Sequence, residues 1–183
     1  MEIDYGPLTG LIGTWKGSRG LDVAPEPDGT ENNPYYETII FEAAEDVENA
    51  EDQKLAIVRY HQVVQRKSND EIFHDQVGHW MWDARSGVVM QSLAIPRGVC
   101  VLAGGKAESD DETGEVNLNV SAKLGDPDWG IVESPYMRDN ASTLEYRHEI
   151  FIAPDRLSYD QTSVLDIYGR RFDHTDKSVL TKA

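Results

Sequence analysis

A single cysteine, Cys100, stands in this chain of 183 residues. One thiol cannot close an internal disulfide, and it excludes a zinc cluster built on cysteines. Cys100 lies in the apolar run GVCVLAGG, so a small buried hydrophobe is expected there. Basic residues are also scarce: 17 Lys and Arg face 33 Asp and Glu, for a formal net charge of −16. A surface of that sign repels phosphate backbones and anionic lipid, so neither nucleic acid nor membrane is expected as a partner. No apolar run approaches the ~20 residues of a bilayer-spanning helix. The N-terminal MEIDYGPLTG lacks a basic stretch followed by an apolar one, and the expectation is a soluble, cytoplasmic protein. The chain also lacks a G-x-S-x-G elbow, a phosphate-binding glycine loop and a metalloprotease helix motif. No acidic stretch has the alternating ligand spacing of a calcium loop, and nothing singles out a carboxylate pair for glycoside chemistry.

What is present is β-alternation. Hydrophobic residues make up 39%, enough to fold a core, and the length suits one domain over residues 1–183. A helical turn is expected from Pro7 to Ile12, stopped by Gly13. The Pro-, Gly- and Asn-rich segment LDVAPEPDGTENNP reads as a loop. Strands are expected over YYETIIFEA, KLAIVRYHQVVQRK, EIFHDQVGHWMWD, VVMQSLAIP, GVCVLAGGKA, EVNLNVSAK, TLEYRHEIFI and RLSYDQTSVLDIY, separated by turns such as KSND, ARSG, ESDDETG and APD. EVNLNVSAK alternates cleanly, with Val116, Leu118, Val120 and Ala122 on one face. GDPDWGIVESPYMRDN reads as a long irregular connection, and the final YGRRFDHTDKSVL as a polar tail folding back across a barrel mouth. Eight or more short-spaced strands with little helix imply an all-β protein: a closed, antiparallel, up-and-down barrel, or else a sandwich. Trp80, Trp82 and Trp129 either mark a homodimer face or belong to the core.

The stretch GTWKGSRG has a structural reading. Trp15 plugs one barrel end, while Gly13, Gly17 and Gly20 let the first strand bend. A G-x-W near the N-terminus is shared by lipocalins and fatty-acid-binding proteins. LIGTWKG at the start, HDQVGHWMW in the middle and LSY followed by a late histidine occur in one order. In that order the chain resembles the nitrobindin family, haem-binding β-barrels related to fatty-acid-binding proteins.

The resemblance implies a calycin-like barrel of about ten strands that holds haem b, with an open pocket and a largely apolar distal side. It further implies a ferric iron that binds nitric oxide and possible isomerisation of peroxynitrite to nitrate. By position, His174 matches the proximal iron ligand, with Asp173 or Asp176 to fix its second ring nitrogen. His74 and Phe73 match cavity positions without axial roles, and Gln91 is a further cavity-wall candidate. His79 lies five residues from His74, hence on the opposite strand face. His61 and His148 read as hydrogen-bonded barrel histidines. Two departures from the family pattern stand out. Asp173 replaces the usual proline before the proximal histidine, and LDVAPEPDGTENNPYY replaces a Tyr-Pro-Thr-Ile segment. The alternatives are a fatty-acid-binding-protein-like carrier of a small apolar ligand without iron, and a barrel filled by its own side chains that serves self-association.

Overall fold

The structure, a computed structural model, describes residues 3–110 and 112–183. Met1, Glu2 and, in the loop expected over ESDDETG, Asp111 lie outside them. A 3-10 turn at Gly6–Leu11 precedes β1 (Gly13–Glu26) and β2 (Gly29–Ala43). Then follow β3 (Val47–Asn49), β4 (Gln53–Arg66), β5 (Ile72–Asp83), β6 (Val88–Ile95), β7 (Val99–Ser109) and β8 (Val116–Lys123). The chain ends with β9 (Ile131–Glu133), a short helix α1 (Pro135–Asn140), β10 (Ala141–Ala153), β11 (Arg156–Ile167) and β12 (Arg170–Lys182). The strands run antiparallel in the order β2-β1-β12-β11-β10-β8-β7-β6-β5-β4, and pairing of β4 with β2 closes the ring. Ten strands thus form the expected closed barrel; β3 and β9 are short additions on β4 and β7.

Three segments depart from the sequence reading, the first being GDPDWGIVESPYMRDN, which is no irregular connection because it forms β9 and α1. LDVAPEPDGTENNP is not a loop: β1 and β2 run through it as a hairpin paired from Glu26–Gly29 inward. Its prolines sit where the strands reach the barrel rim, which is where strands tolerate them. The terminal YGRRFDHTDKSVL is not a tail but the closing strand, paired with β11 on one side and β1 on the other. Tyr168 and Gly169 both take positive φ, 55° and 74°, as a two-residue type I′ hairpin turn requires. The strand looks like a tail because its inward positions are Phe172, His174, Asp176, Ser178 and Leu180, of which only two are apolar.

A β-bulge decides what β1 contributes. Opposite Tyr35–Glu37, β1 carries one extra residue between Gly17 and Gly20, and the same shift appears against β12. An extra residue reverses the in–out phase of everything beyond it. Trp15 and Gly17 therefore face inward on one side of the bulge, and Gly20 and Asp22 on the other. At Gly20 a Cβ would lie 1.9 Å from Tyr35 Cε2, so the tyrosine ring crosses β1 only because glycine is there. Gly13, with φ of 134°, turns the chain from the 3-10 segment into the barrel wall.

The interior has three storeys. At the closed end Trp15 is wholly buried against Leu8, Leu11, Phe41, Val58 and Trp80. Its indole N–H donates to the Leu11 carbonyl at 2.7 Å, which ties the 3-10 plug to the barrel. Trp80 belongs to this core, and Trp82 and Trp129 pack against it, so these three rings serve the interior. Cys100, by contrast, is exposed. In GVCVLAGG, Val99, Val101 and Ala103 take the inward positions, and Cys100 points out between them. The middle storey is polar, and above it lies a cavity.

Candidate functional site: a polar cavity at the open end

Polar side chains buried in the middle of the barrel form two connected groups. In one, Gln62 donates to Glu37 Oε2 at 2.7 Å, Tyr159 donates to the same oxygen at 2.9 Å, and the hydroxyls of Tyr35 and Tyr159 lie 2.7 Å apart. Burial pushes the Glu37 pKa up, and these donors offset only part of that rise. In the other, His74 lies 3.2 Å from Gln76, which donates to Tyr60 at 2.6 Å. Gln91 also donates to Tyr60 and accepts from Tyr146, and the His148 Nδ1 lies 3.0 Å from Gln91 Oε1. Burial drives the His148 pKa down to about 3, so this imidazole is neutral. Gln91 was expected in a cavity wall; it is fully buried beneath the cavity and holds up its floor.

Above this floor opens a cavity of about 460 Å³. Its lining joins an aliphatic side (Leu93, Ile95, Val99, Val101) to polar groups that include Asp22, Asn33, His74, His174 and Asp176. The aliphatic residues lie on β6 and β7, across the ring of strands from the β12 that carries His174, and the polar groups other than His74 gather on and near β12. Phe73 and His74 both face the cavity although they are adjacent in a strand. The pairing of β4 and β5 shifts between Val64–His74 and Gln65–Ile72, which leaves Phe73 as the extra residue of a bulge. His79, as expected, lies on the exposed outer face, and His61 is also outside, 3.0 Å from Asp75.

His174 reaches the cavity from β12. Its Nε2 lies 2.6 Å from Asp22 Oδ1 and 3.8 Å from Asp176 Oδ2. Asn33 donates to the other Asp22 oxygen at 2.9 Å, which fixes that carboxylate. Neither acceptor expected for the second ring nitrogen takes that place: Asp176 stands 3.8 Å from Nε2, the nitrogen that Asp22 engages, and Asp173 falls on the outer face of β12 and is exposed. The nearest partner, Asp22, carried no signal in the sequence, because strict alternation from Trp15 points it outward.

Burial alone would lower the His174 pKa; the hydrogen bond to Asp22 and the charges of Asp176 and Asp22 outweigh it and raise it. Burial likewise opposes the charge on Asp22, but His174 and Asn33 hold its pKa below the usual value. Asp176 is the loser of the pair: desolvation lifts its pKa to about 7, with the Asp22 charge adding to the rise. One imidazolium cannot neutralise two buried carboxylates equally well, and the closer one takes the charge.

Over residues 4–182 the sequence matches the family described as the THAP4-like, heme-binding beta-barrel domain. This chain belongs to that haem-binding barrel family. It is the nitrobindin family that the motif order resembled. Among solved structures, Rv2717c from M. tuberculosis superposes with a TM-score of 0.71 at 21% identity, covering 98% of this chain and 99% of that one. That likeness speaks for the shared fold. No curated protein matches the chain in sequence.

The cavity residues fit the haem that this nitrobindin-type family implies on three counts. The volume lies within the range of ~300–1,000 Å³ usual for ligand pockets, an imidazole stands in the wall, and one side is aliphatic. One contact sets a condition: the Nε2 of His174 is engaged by Asp22.

Proposed function

We propose that this barrel binds haem b in its open-end cavity, with His174 as the axial ligand. The observation that carries the reading is His174 itself, an imidazole presented to the cavity by the closing strand of a haem-binding family member. Bound haem would supply an iron able to coordinate nitric oxide and, when ferric, to convert peroxynitrite to nitrate.

The chain's own residues do the rest. A nitrogen that shares its proton with a carboxylate has no free lone pair, so ligation through Nε2 requires the Asp22 contact to open and the ring to give up its proton. Asn33 then keeps a hydrogen bond to the released Asp22 carboxylate. Leu93, Val99 and Val101 exclude water from one side of the cavity, and Gln76 holds His74 in place on the wall.

Titration of the purified protein with hemin tests the reading. A shifted Soret band is expected for the wild type and its loss for His174→Ala; an unchanged band in the variant sinks the axial role.

The engaged Nε2 favours a second reading, a carrier of a small apolar ligand such as a fatty acid, without iron. Native mass spectrometry of the protein as purified separates the two, by the added mass of a haem or of a fatty acid.

A further inference from the structure

We infer that Arg66 and Arg97 form a carboxylate-binding site at the rim of the cavity, and that the ligand carries its carboxylate on an apolar body. This deepens the reading of the cavity as a ligand site, but it does not depend on iron.

The chain has nearly two acidic residues for each basic one, and Asp22, Glu26, Glu31 and Asp176 line this cavity, so a cation that lines it without pairing a carboxylate is informative. Among the described residues, Arg19, Arg156 and Arg170 also lack a carboxylate partner but do not line it. Arg59, Arg85, Arg138, Arg147 and Arg171 each lie within 4.0 Å of a carboxylate. Among the described residues, Arg66 and Arg97 have no such partner, and they are the only Arg or Lys side chains lining the cavity. Both converge on Phe73, the bulged residue of β5. The Arg66 guanidinium carbon stands 4.9 Å from the Phe73 ring centroid, and Arg97 Nη2 lies 3.4 Å from the Phe73 carbonyl oxygen. The Arg66 Nε is buried and has no hydrogen-bond partner. A buried, unpaired guanidinium N–H is costly unless an acceptor arrives, and two neighbouring guanidiniums repel each other until an anion sits between them. Arginine's planar fork suits a carboxylate in particular.

Glu26 and Glu31, at the β1–β2 hairpin, also line the cavity and repel an anion, which leaves the two arginines as its docking point. Beside Phe73 the cavity wall is aliphatic, through Leu93, Ile95, Val99 and Val101. A carboxylate at the arginines with an apolar body against that wall describes a porphyrin with propionates. It equally describes a fatty acid.

The test titrates the full chain, by fluorescence, with three probes: metal-free protoporphyrin IX, its dimethyl ester and dodecanoate. Arg66→Gln, Arg97→Gln and the double variant are compared with wild type, with circular dichroism to confirm that each folds. Each single substitution is expected to weaken one of the acids about tenfold, as loss of a charge-assisted hydrogen bond does. The dimethyl ester is expected to bind more weakly than the diacid and to be indifferent to both substitutions. Arginine dependence confined to protoporphyrin IX assigns the site to porphyrin propionates, and dependence confined to dodecanoate assigns it to a fatty acid. Wild-type affinities in the double variant overturn the inference, as does an ester that binds as tightly as the acid, or a wild type that binds no probe. Because none of these probes carries iron, an absent hemin Soret shift would remove the axial role of His174 and leave this result standing.

Discussion

The two ends of this barrel are built from the same ten strands and behave as opposites. At the closed end, inward positions carry Trp15, Phe41, Val58, Trp80 and Leu118, and the 3-10 turn stops the opening with Leu8 and Leu11. At the open end, inward positions on the same strands β1, β2 and β12 carry Asp22, Asn33, His174 and Asp176. The first arrangement removes apolar surface from water and stabilises the fold. The second keeps buried charge beside a cavity, which costs stability and is tolerated where a ligand is bound. The tyrosine and glutamine storey between them lets a charged chamber sit over an apolar core without leaving most polar atoms unpaired.

The contrast can be broken first at its apolar end. Trp15→Ala is expected to cost about 3–5 kcal/mol of stability, because it opens a large cavity and releases the plug. Urea unfolding reads this directly, and a loss below about 1 kcal/mol would mean that the plug is not structural.

At the waist, Gly20→Ala drives a methyl into the Tyr35 ring and is expected to cost about 1–3 kcal/mol. An unchanged midpoint in the same measurement would show that Tyr35 moves aside freely.

At the open end the sign reverses: Asp176→Asn is expected to stabilise the protein by about 1–2 kcal/mol at pH 8. The Asp176 pKa rises from 3.8 to about 7 on folding, so its penalty is fully present above pH 7. As pH falls through 7 towards 4 the folded wild type takes up a proton there, and the advantage of asparagine should disappear. A pH-independent difference would show that Asp176 acts through something other than its charge.

The smallest effect is expected on the outer wall, where Cys100→Ser should change stability by less than about 0.5 kcal/mol. The exposed thiol should also react with a thiol reagent in the native protein without denaturant. A thiol that reacts only after unfolding would contradict its outward position.

Most of the strands were legible because their inward residues are apolar at every second position, as in Val116, Leu118, Val120 and Ala122. His74 and Phe73 were found through the family motif and do face the cavity, but only the bulge in β5 explains how two neighbours share one side. The alternation failed where the inside is polar. β12 reads as a tail because His174 and Asp176 occupy positions where apolar side chains are expected. Asp22, Arg66 and Arg97 gave no local signal, since Asp22 meets a residue distant in the chain and the two arginines meet only through the bulged Phe73.

By itself, the sequence determined the all-β barrel, the Trp15 plug and the prominence of His174, because period-two hydropathy and short motifs are local properties. Only the tertiary structure decided that β12 closes the barrel, that one extra residue in β1 turns Asp22 inward onto His174, and that two arginines meet at Phe73. Each of these depends on strand register, and register is settled by pairing between strands rather than by the hydropathy of any one of them.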